Sequence, residues 1–273
     1  MRDIKDKGKE LLEEVLDELP ELEEGKNVCL SLSGGLDSTT LLYILIEKYG
    51  VERVKTITFN FGQTHSIELE MVKKIVEKTN VYNKLINLDF IAEINKDNCS
   101  LISGSKLKNK TQIENSGNPQ ISSYVSHRNL IFTSIVSSFA ENQNCQHVML
   151  GLQQGDLYSY WDTSLDFVNS LNAVLSLNRK NSIQLVTPFV EMYKDEELLM
   201  AFEMSKELGY DILENTWTCY NGYKEEYNFK ECSECSACSD KLLGYVKAGF
   251  DNNYILSKFN TTNEKIEKIR KGL

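Results

Sequence analysis

The chain has 273 residues, 41% of them apolar, and a formal net charge of −10. That length accommodates one large α/β domain, or a domain with a small appendage, around a sizeable core. The acid excess disfavours stable, sequence-independent nucleic-acid binding, which needs Lys and Arg to displace phosphate counterions. No apolar run approaches the ~18–20 residues that span a bilayer. The opening Met1-Arg2-Asp3-Ile4-Lys5-Asp6 is charged rather than signal-like, so a cytoplasmic protein is expected.

Residues 1–24 read as an amphipathic helix ended by Pro20, with Leu11, Leu12, Val15, Leu16, Leu19 and Leu22 at helical spacing and acids between them. Its acidic polar face suits a docking or capping element rather than a membrane binder. Strand-like runs follow at Val28–Leu32, Val54–Phe59, Asn83–Leu88, His147–Leu152 and Ile183–Val186. Helical patterns alternate with them over Thr39–Lys48, Ser66–Lys78, His127–Asn142, Ser164–Leu177 and Lys194–Leu208. The alternation predicts a doubly wound, parallel five-stranded α/β sheet. Residues 93–123 are rich in Asn, Ser, Lys and Gly without an apolar period, and read as a long loop, a lid or a disordered segment. The expected organisation is a helical extension (1–24), an α/β domain (25–190) and a C-terminal helical, cysteine-bearing region (191–273).

Ser33-Gly34-Gly35-Leu36-Asp37-Ser38 lies between the first strand and the first buried helix. Two glycines let backbone approach a ligand, and free N–H groups at a helix start favour an anion. Ser33 and Ser38 add hydroxyl donors, while Asp37 either orients the loop or holds Mg²⁺ against phosphate oxygens. No lysine follows the glycines, so this is not a Walker loop, and G-x-G-x-x-G is absent. The bland alternative is a Gly-Gly turn.

Of the seven cysteines, Cys232, Cys235 and Cys238 fall within seven residues, and Cys219 precedes them. Four soft ligands complete a closed tetrahedral Zn²⁺ site, which would be structural because no coordination position stays open. An iron–sulfur cluster or a redox pair is the alternative. Cys29, Cys99 and Cys145 are scattered, and Cys29 reads as a core residue.

The loop resembles the SGGxDS signature of the PP-loop ATP pyrophosphatases. With Thr216-Trp217-Thr218-Cys219-Tyr220-Asn221-Gly222 and the cysteine triplet, residues 26–250 resemble the QueC family. Phe59–His65 with Glu68, Tyr124–Asn129, and Thr187-Pro188 with Lys194 resemble further family segments in the same order. The resemblance implies that ATP adenylates the carboxylate of 7-carboxy-7-deazaguanine with release of pyrophosphate. Ammonia then gives an amide, and a second activation gives the nitrile, preQ0. It also implies ATP, Mg²⁺ and Zn²⁺ as cofactors and a homodimer.

On this reading Ser33–Ser38, Phe59 and His65 bind ATP, Asp37, Arg128 and Lys194 act in catalysis, and Arg128, Asn129, Tyr158 and Asp162 contact the substrate. Each has a bland counterpart: a surface pair for Arg128, a helix-start lysine for Lys194, a capping histidine for His65, core packing for Phe59 and a loop acid for Asp162. The family's PGRN reads Ser126-His127-Arg128-Asn129, and Lys241 replaces an arginine after the cysteines. These departures, with the added N-terminal helix as a partner surface, motivate an alternative. A QueC-like paralogue of an antiphage defence system would hand the adenylate to an amine of a partner protein. A tRNA-modifying PP-loop enzyme is a third reading, disfavoured by the acidic chain.

Overall fold

A computed structural model of the chain describes residues 2–63, 67–97, 99–104, 123–153 and 160–273, the side chains of residues 2–6 excepted. Strands β1 (Asn27–Ser31), β2 (Val54–Asn60), β3 (Tyr82–Asn87), β4 (Cys145–Met149) and β5 (Gln184–Val186) form one sheet in the order β3-β2-β1-β4-β5. Every pairing is parallel, with Ser31 beside Ile57 and Leu30 beside Met149. The expected five-stranded, doubly wound sheet is therefore present. β1 sits at its centre, and Val28, Cys29 and Leu30 are fully buried, as a strand covered on both faces requires.

Alternation along the strands divides the core into two. Val28, Leu30, Leu32 and Met149 face one layer, while Cys29, Ile57, Phe59 and Val148 face the other. The first layer holds α1 (Arg2–Glu18), α2 (Leu36–Tyr49), α3 (Ile67–Thr79) and, later in the chain, a helix over Lys194–Leu208. The second holds α4 (Asp89–Asn95), a short turn α5 (Ser100–Ser103), α6 (Arg128–Asn142) and α7 (Leu165–Leu175). The Lys194–Leu208 helix is α8, and α9 (Ser236–Lys247), α10 (Asn252–Lys258) and α11 (Asn263–Lys271) complete the chain.

α1 ends at Glu18, before Pro20, as expected, and it docks on the domain: Leu12, Val15 and Leu19 are buried in the first core, so its apolar stripe is not a free partner surface. Its packing against α8 is close enough that a Cβ at Gly8 would lie 2.8 Å from the Leu199 carbonyl oxygen. α2 begins inside the glycine loop, at Leu36, with Gly35 as its extended N-cap residue. The stretch from residue 93 is not loop throughout, since α4 and α5 bury Ile91, Cys99 and Leu101. Three isolated apolar anchors are too few to give a periodic signal. Residues 98 and 105–122 lie outside the described residues.

Candidate active site

β1 pairs with β2 on one side and β4 on the other, so chain order reverses around it. Ligands of open α/β sheets bind beyond the carboxyl ends of the strands at such a switch point. A cleft opens there, lined by Ser33–Ser38 except Gly34, by Phe59 and Phe61 after β2, by Leu150–Leu152 after β4, and by Arg128, Asn129, Lys194 and Trp217. Among the described residues it thus gathers nearly all the residues singled out for ATP and catalysis. His65 and Tyr158 lie outside the described residues.

The loop is held by its own hydroxyls. Ser33 N–H donates to Ser38 Oγ at 3.1 Å, Gly35 N–H donates to Ser33 Oγ at 3.2 Å, and the two hydroxyls are 3.0 Å apart. Gly34 adopts φ +84°, and a Cβ there would lie 2.3 Å from the Glu68 carbonyl oxygen of α3. Glycine is therefore required for the turn and for the contact. A Cβ on Gly151, at the exit of β4, would meet Asp37 and Ser38 at 3.1 Å. The loop is thus packed against α3 and the exit of β4, and its residues at the start of α2, Leu36 to Ser38, line the cleft.

Asp37 and Lys194 form an ion pair across that cleft, 157 residues apart. Lys194 Nζ also donates to Glu197 Oε2 at 3.1 Å, and Gln153 Nε2 donates to the same oxygen at 2.6 Å. Burial pushes Asp37 up, but the Lys194 ammonium more than offsets it, helped by a hydrogen bond from Glu197, so Asp37 lies below its ordinary range. Glu197 goes the other way. Burial first and the Asp37 charge second raise it well above the ordinary carboxyl range.

On the opposite wall, Arg128 begins α6 and lies 5.8 Å from the Tyr160 ring centroid. Burial works against its charge, but Tyr220, Tyr160, Asp162 and Glu68 more than compensate, so the guanidinium stays charged. Asn129 N–H donates to Asp162 Oδ2 at 3.1 Å, and Asn129 Nδ2 donates to the Asp162 carbonyl at 3.0 Å. Asp162 is 2% exposed. Its carboxylate therefore fixes the start of α6, and it is not among the residues lining the cleft. Phe59 packs on Phe132 with centroids 4.4 Å apart, so it serves the core and the cleft wall together.

The four cysteines converge. The Sγ atoms of Cys219, Cys232, Cys235 and Cys238 all lie within 4.8 Å of one another and are buried. A tetrahedral ion with ~2.3 Å metal–sulfur bonds would space them by about 3.8 Å, so the set fits a soft metal. Amide groups support the charged form: Cys235 N–H and Glu234 N–H donate to Cys232 Sγ at 3.3 and 3.4 Å, and Asn221 Nδ2 donates to it at 3.2 Å. The module reaches the phosphate loop directly. Trp217 N–H donates to the Gly34 carbonyl at 3.1 Å, and its indole N–H donates to the Cys219 carbonyl at 3.0 Å. Thr218 N–H donates to Glu231 Oε1 at 2.6 Å, and Glu231 pairs with Lys241, both nearly fully buried. Lys241, in the place of a family arginine, thus stays in the interior as a structural partner.

Sequence reasoning missed Gln153, Glu197, Phe132 and Glu231. One signal was present: Lys194 and Glu197 stand at i and i+3, hence on one helix face.

With the geometry established, comparison with known proteins is informative. The profile of the family described as "Queuosine biosynthesis protein QueC" matches residues 26–249. A 7-cyano-7-deazaguanine synthase of Helicobacter acinonychis is 34% identical over 232 residues, 81% of this chain and 96% of that protein. One from Clostridium botulinum is 32% identical over 226 residues, 82% and 95% of the two chains. Among solved structures, the U34-tRNA thiolase NcsA of Methanococcus maripaludis, with its 4Fe–4S cluster, matches with TM-score 0.50 and 18% identity, covering 98% of this chain and 78% of that one. This last likeness concerns the fold alone.

Proposed function

The chain belongs to the QueC family, and on that premise we propose that it makes 7-cyano-7-deazaguanine from the 7-carboxy compound at the β1–β4 cleft. It is an ATP-utilising enzyme of that family. A carboxylate is a poor electrophile, and transfer of AMP to it supplies a leaving group. In the first activation a carboxylate oxygen displaces pyrophosphate from the ATP α-phosphorus. Ammonia then attacks the carbonyl carbon and AMP departs with the carboxylate oxygen, leaving the amide. In the second, the amide oxygen is adenylated in the same way, and loss of AMP and the nitrogen protons leaves the nitrile.

The observation that carries this reading is the joint placement of the Ser33–Ser38 loop, Lys194 and Arg128 around one cleft. The loop amides and hydroxyls receive the pyrophosphate, and Lys194 offsets charge that builds as it leaves. Mg²⁺ would neutralise phosphate oxygens there. Arg128, planar and charged, receives the substrate carboxylate or the α-phosphate. Asn129 and Asp162 set the start of α6 and thereby the guanidinium. Zn²⁺ at Cys219, Cys232, Cys235 and Cys238 ties down the segment that carries Trp217 against the loop.

Two neighbouring readings have less support. Transfer of the adenylate to a partner protein leaned on α1 as a free surface, and the apolar face of α1 is inside the core. Modification of tRNA needs a basic footprint, which a net charge of −10 disfavours. Incubation with ATP, Mg²⁺ and 7-carboxy-7-deazaguanine, with and without ammonia, tests the proposal through AMP release and product mass. The expected result is AMP with amide and then nitrile. AMP without nitrile, and a deazaguanine mass on a co-purified protein, would favour the conjugating paralogue. Folded, metal-loaded protein that releases no AMP with this substrate would overturn both.

A further inference from the structure

We propose that Glu197 is a positioning residue of the phosphate site: together with Gln153 it anchors the Lys194 ammonium beside the first turn of α2. This rests on the reading that the cleft handles the phosphates of ATP. Glu197 is completely buried, on the α8 face that otherwise packs Leu198, Met200 and Ala201. An apolar side chain there would avoid the cost of burying a carboxyl group, so its polar contacts require a reason. Lys194 and Gln153 both converge on Oε2, at 3.1 and 2.6 Å. Gln153 is itself 2% exposed and stands at the exit of β4. The pair therefore links two walls of the cleft through one oxygen.

The other oxygen, Oε1, is buried and receives no N–H or O–H donor among the described residues. It belongs to a carboxyl that interacts with Asp37. One ammonium thus stands between two carboxyl groups. Two carboxylates beside a single cation, Glu197 fully buried and Asp37 at the cleft wall, would leave a net negative charge where a more negative ligand must enter. A proton held on Glu197 removes that charge and lets the group donate to Asp37. Lys241 and Tyr245 also interact electrostatically with this pair, Lys241 with Asp37 and Tyr245 with Glu197. In this arrangement the Asp37–Lys194 pair faces the phosphate loop with no net negative charge.

The test is calorimetric titration of ATP in Mg²⁺ buffer into the full chain, as wild type, E197L, E197Q and Q153A. E197L keeps the volume and removes both contacts, so ATP affinity should fall on the order of tenfold or more, the worth of a charge-assisted hydrogen bond. E197Q supplies an acceptor for Lys194 and Gln153 and a donor toward Asp37, and should restore affinity to within about threefold. In turnover, E197L should raise the KM for ATP while that for the carboxylate substrate stays unchanged. The proposal is overturned if folded E197L binds ATP within twofold of wild type, if E197Q is as weak as E197L, or if both KM values rise alike. Should E197L fail to fold, Q153A decides: weakened ATP binding supports the proposal and unchanged binding overturns it. A wild-type protein that binds no ATP would instead overturn the functional reading underneath, and this inference with it.

Discussion

Replacing Gly34 by alanine isolates the role of the phosphate-loop turn. The new Cβ would stand 2.3 Å from the Glu68 carbonyl oxygen and 3.1 Å from Val72 Cγ2. An ordinary carbon–oxygen contact is about 3.3 Å, so the loop and α3 must separate by roughly 1 Å. The +84° φ adds strain, about 1–2 kcal/mol for a residue with a Cβ. With ~2.1 cal/mol/K per residue over the chain, 2 kcal/mol lowers the unfolding midpoint by about 3–4 °C. Turnover should suffer more, since a displacement of about 1 Å at a reacting centre costs on the order of 10²-fold. The assay is AMP release together with a thermal melt. Gly25→Ala is the matched control: its φ is +72° but nothing lies within 4 Å of the added carbon. It should lose a few degrees of midpoint and no activity. G34A turnover within threefold of wild type, or an equal turnover loss in G25A, would refute the reasoning.

Glu197 should make wild type less stable than E197Q as pH rises. Its folded pKa lies above the unfolded value, so its stabilising contribution is complete below the unfolded value and is lost on the way up, at up to about 1.4 kcal/mol per pH unit. Asp37 has the opposite sign, its contribution being present above the unfolded carboxylate value and lost as pH falls through its depressed folded value. Chemical unfolding of both proteins between about pH 5 and 7 measures the difference, and parallel curves would contradict it. Treatment with a strong chelator, or the C235S substitution, should lower any metal content read by mass spectrometry and speed amide exchange at Trp217, whose N–H is bonded to Gly34; unchanged exchange would show that module and loop are independent. Leu12→Ala in α1 should cost about 2–5 kcal/mol, as a core truncation does, and a cost below ~0.5 kcal/mol would return α1 to the status of an appendage.

How much of this was legible beforehand depends on the kind of signal. The central strands stood out because a parallel strand covered on both faces reads as a near-continuous apolar run, as Val28–Leu32 and His147–Leu152 do, whereas the edge strand β3 mixes polar and apolar residues and stays partly exposed. The phosphate loop stood out because its chemistry is local: two glycines, two serines and an acid in six residues. The cysteines were legible as a set because three fall within seven residues and Cys219 completes the four soft ligands of a closed site. α4 and α5 were not legible, since their anchors at Ile91, Cys99 and Leu101 follow no helical or strand period. The partner-surface reading of α1 was misjudged because the pattern shows an apolar stripe but not what covers it.

Site residues that depend on distant partners were the least visible. Asp162 was chosen because an acidic oxygen suits guanine-like N–H donors; in the structure its carboxylate accepts the Asn129 N–H and orders the helix start beneath Arg128. An acid 33 residues from its partner gives no sign of such a bond in the sequence. Asp37 poses the same problem over a longer span: beside an anion-binding loop an acid looks misplaced until Lys194 arrives from α8. That pairing explains why the loop tolerates an acid. It also shows why Lys194 alone is an incomplete account of the charge. A cation committed to Asp37 would be neutral ground for a phosphate, and a cation flanked by two carboxylates would be worse. An uncharged Glu197 keeps the Asp37–Lys194 pair neutral instead of net negative, and its complete burial beside Asp37 raises its pKa in that direction.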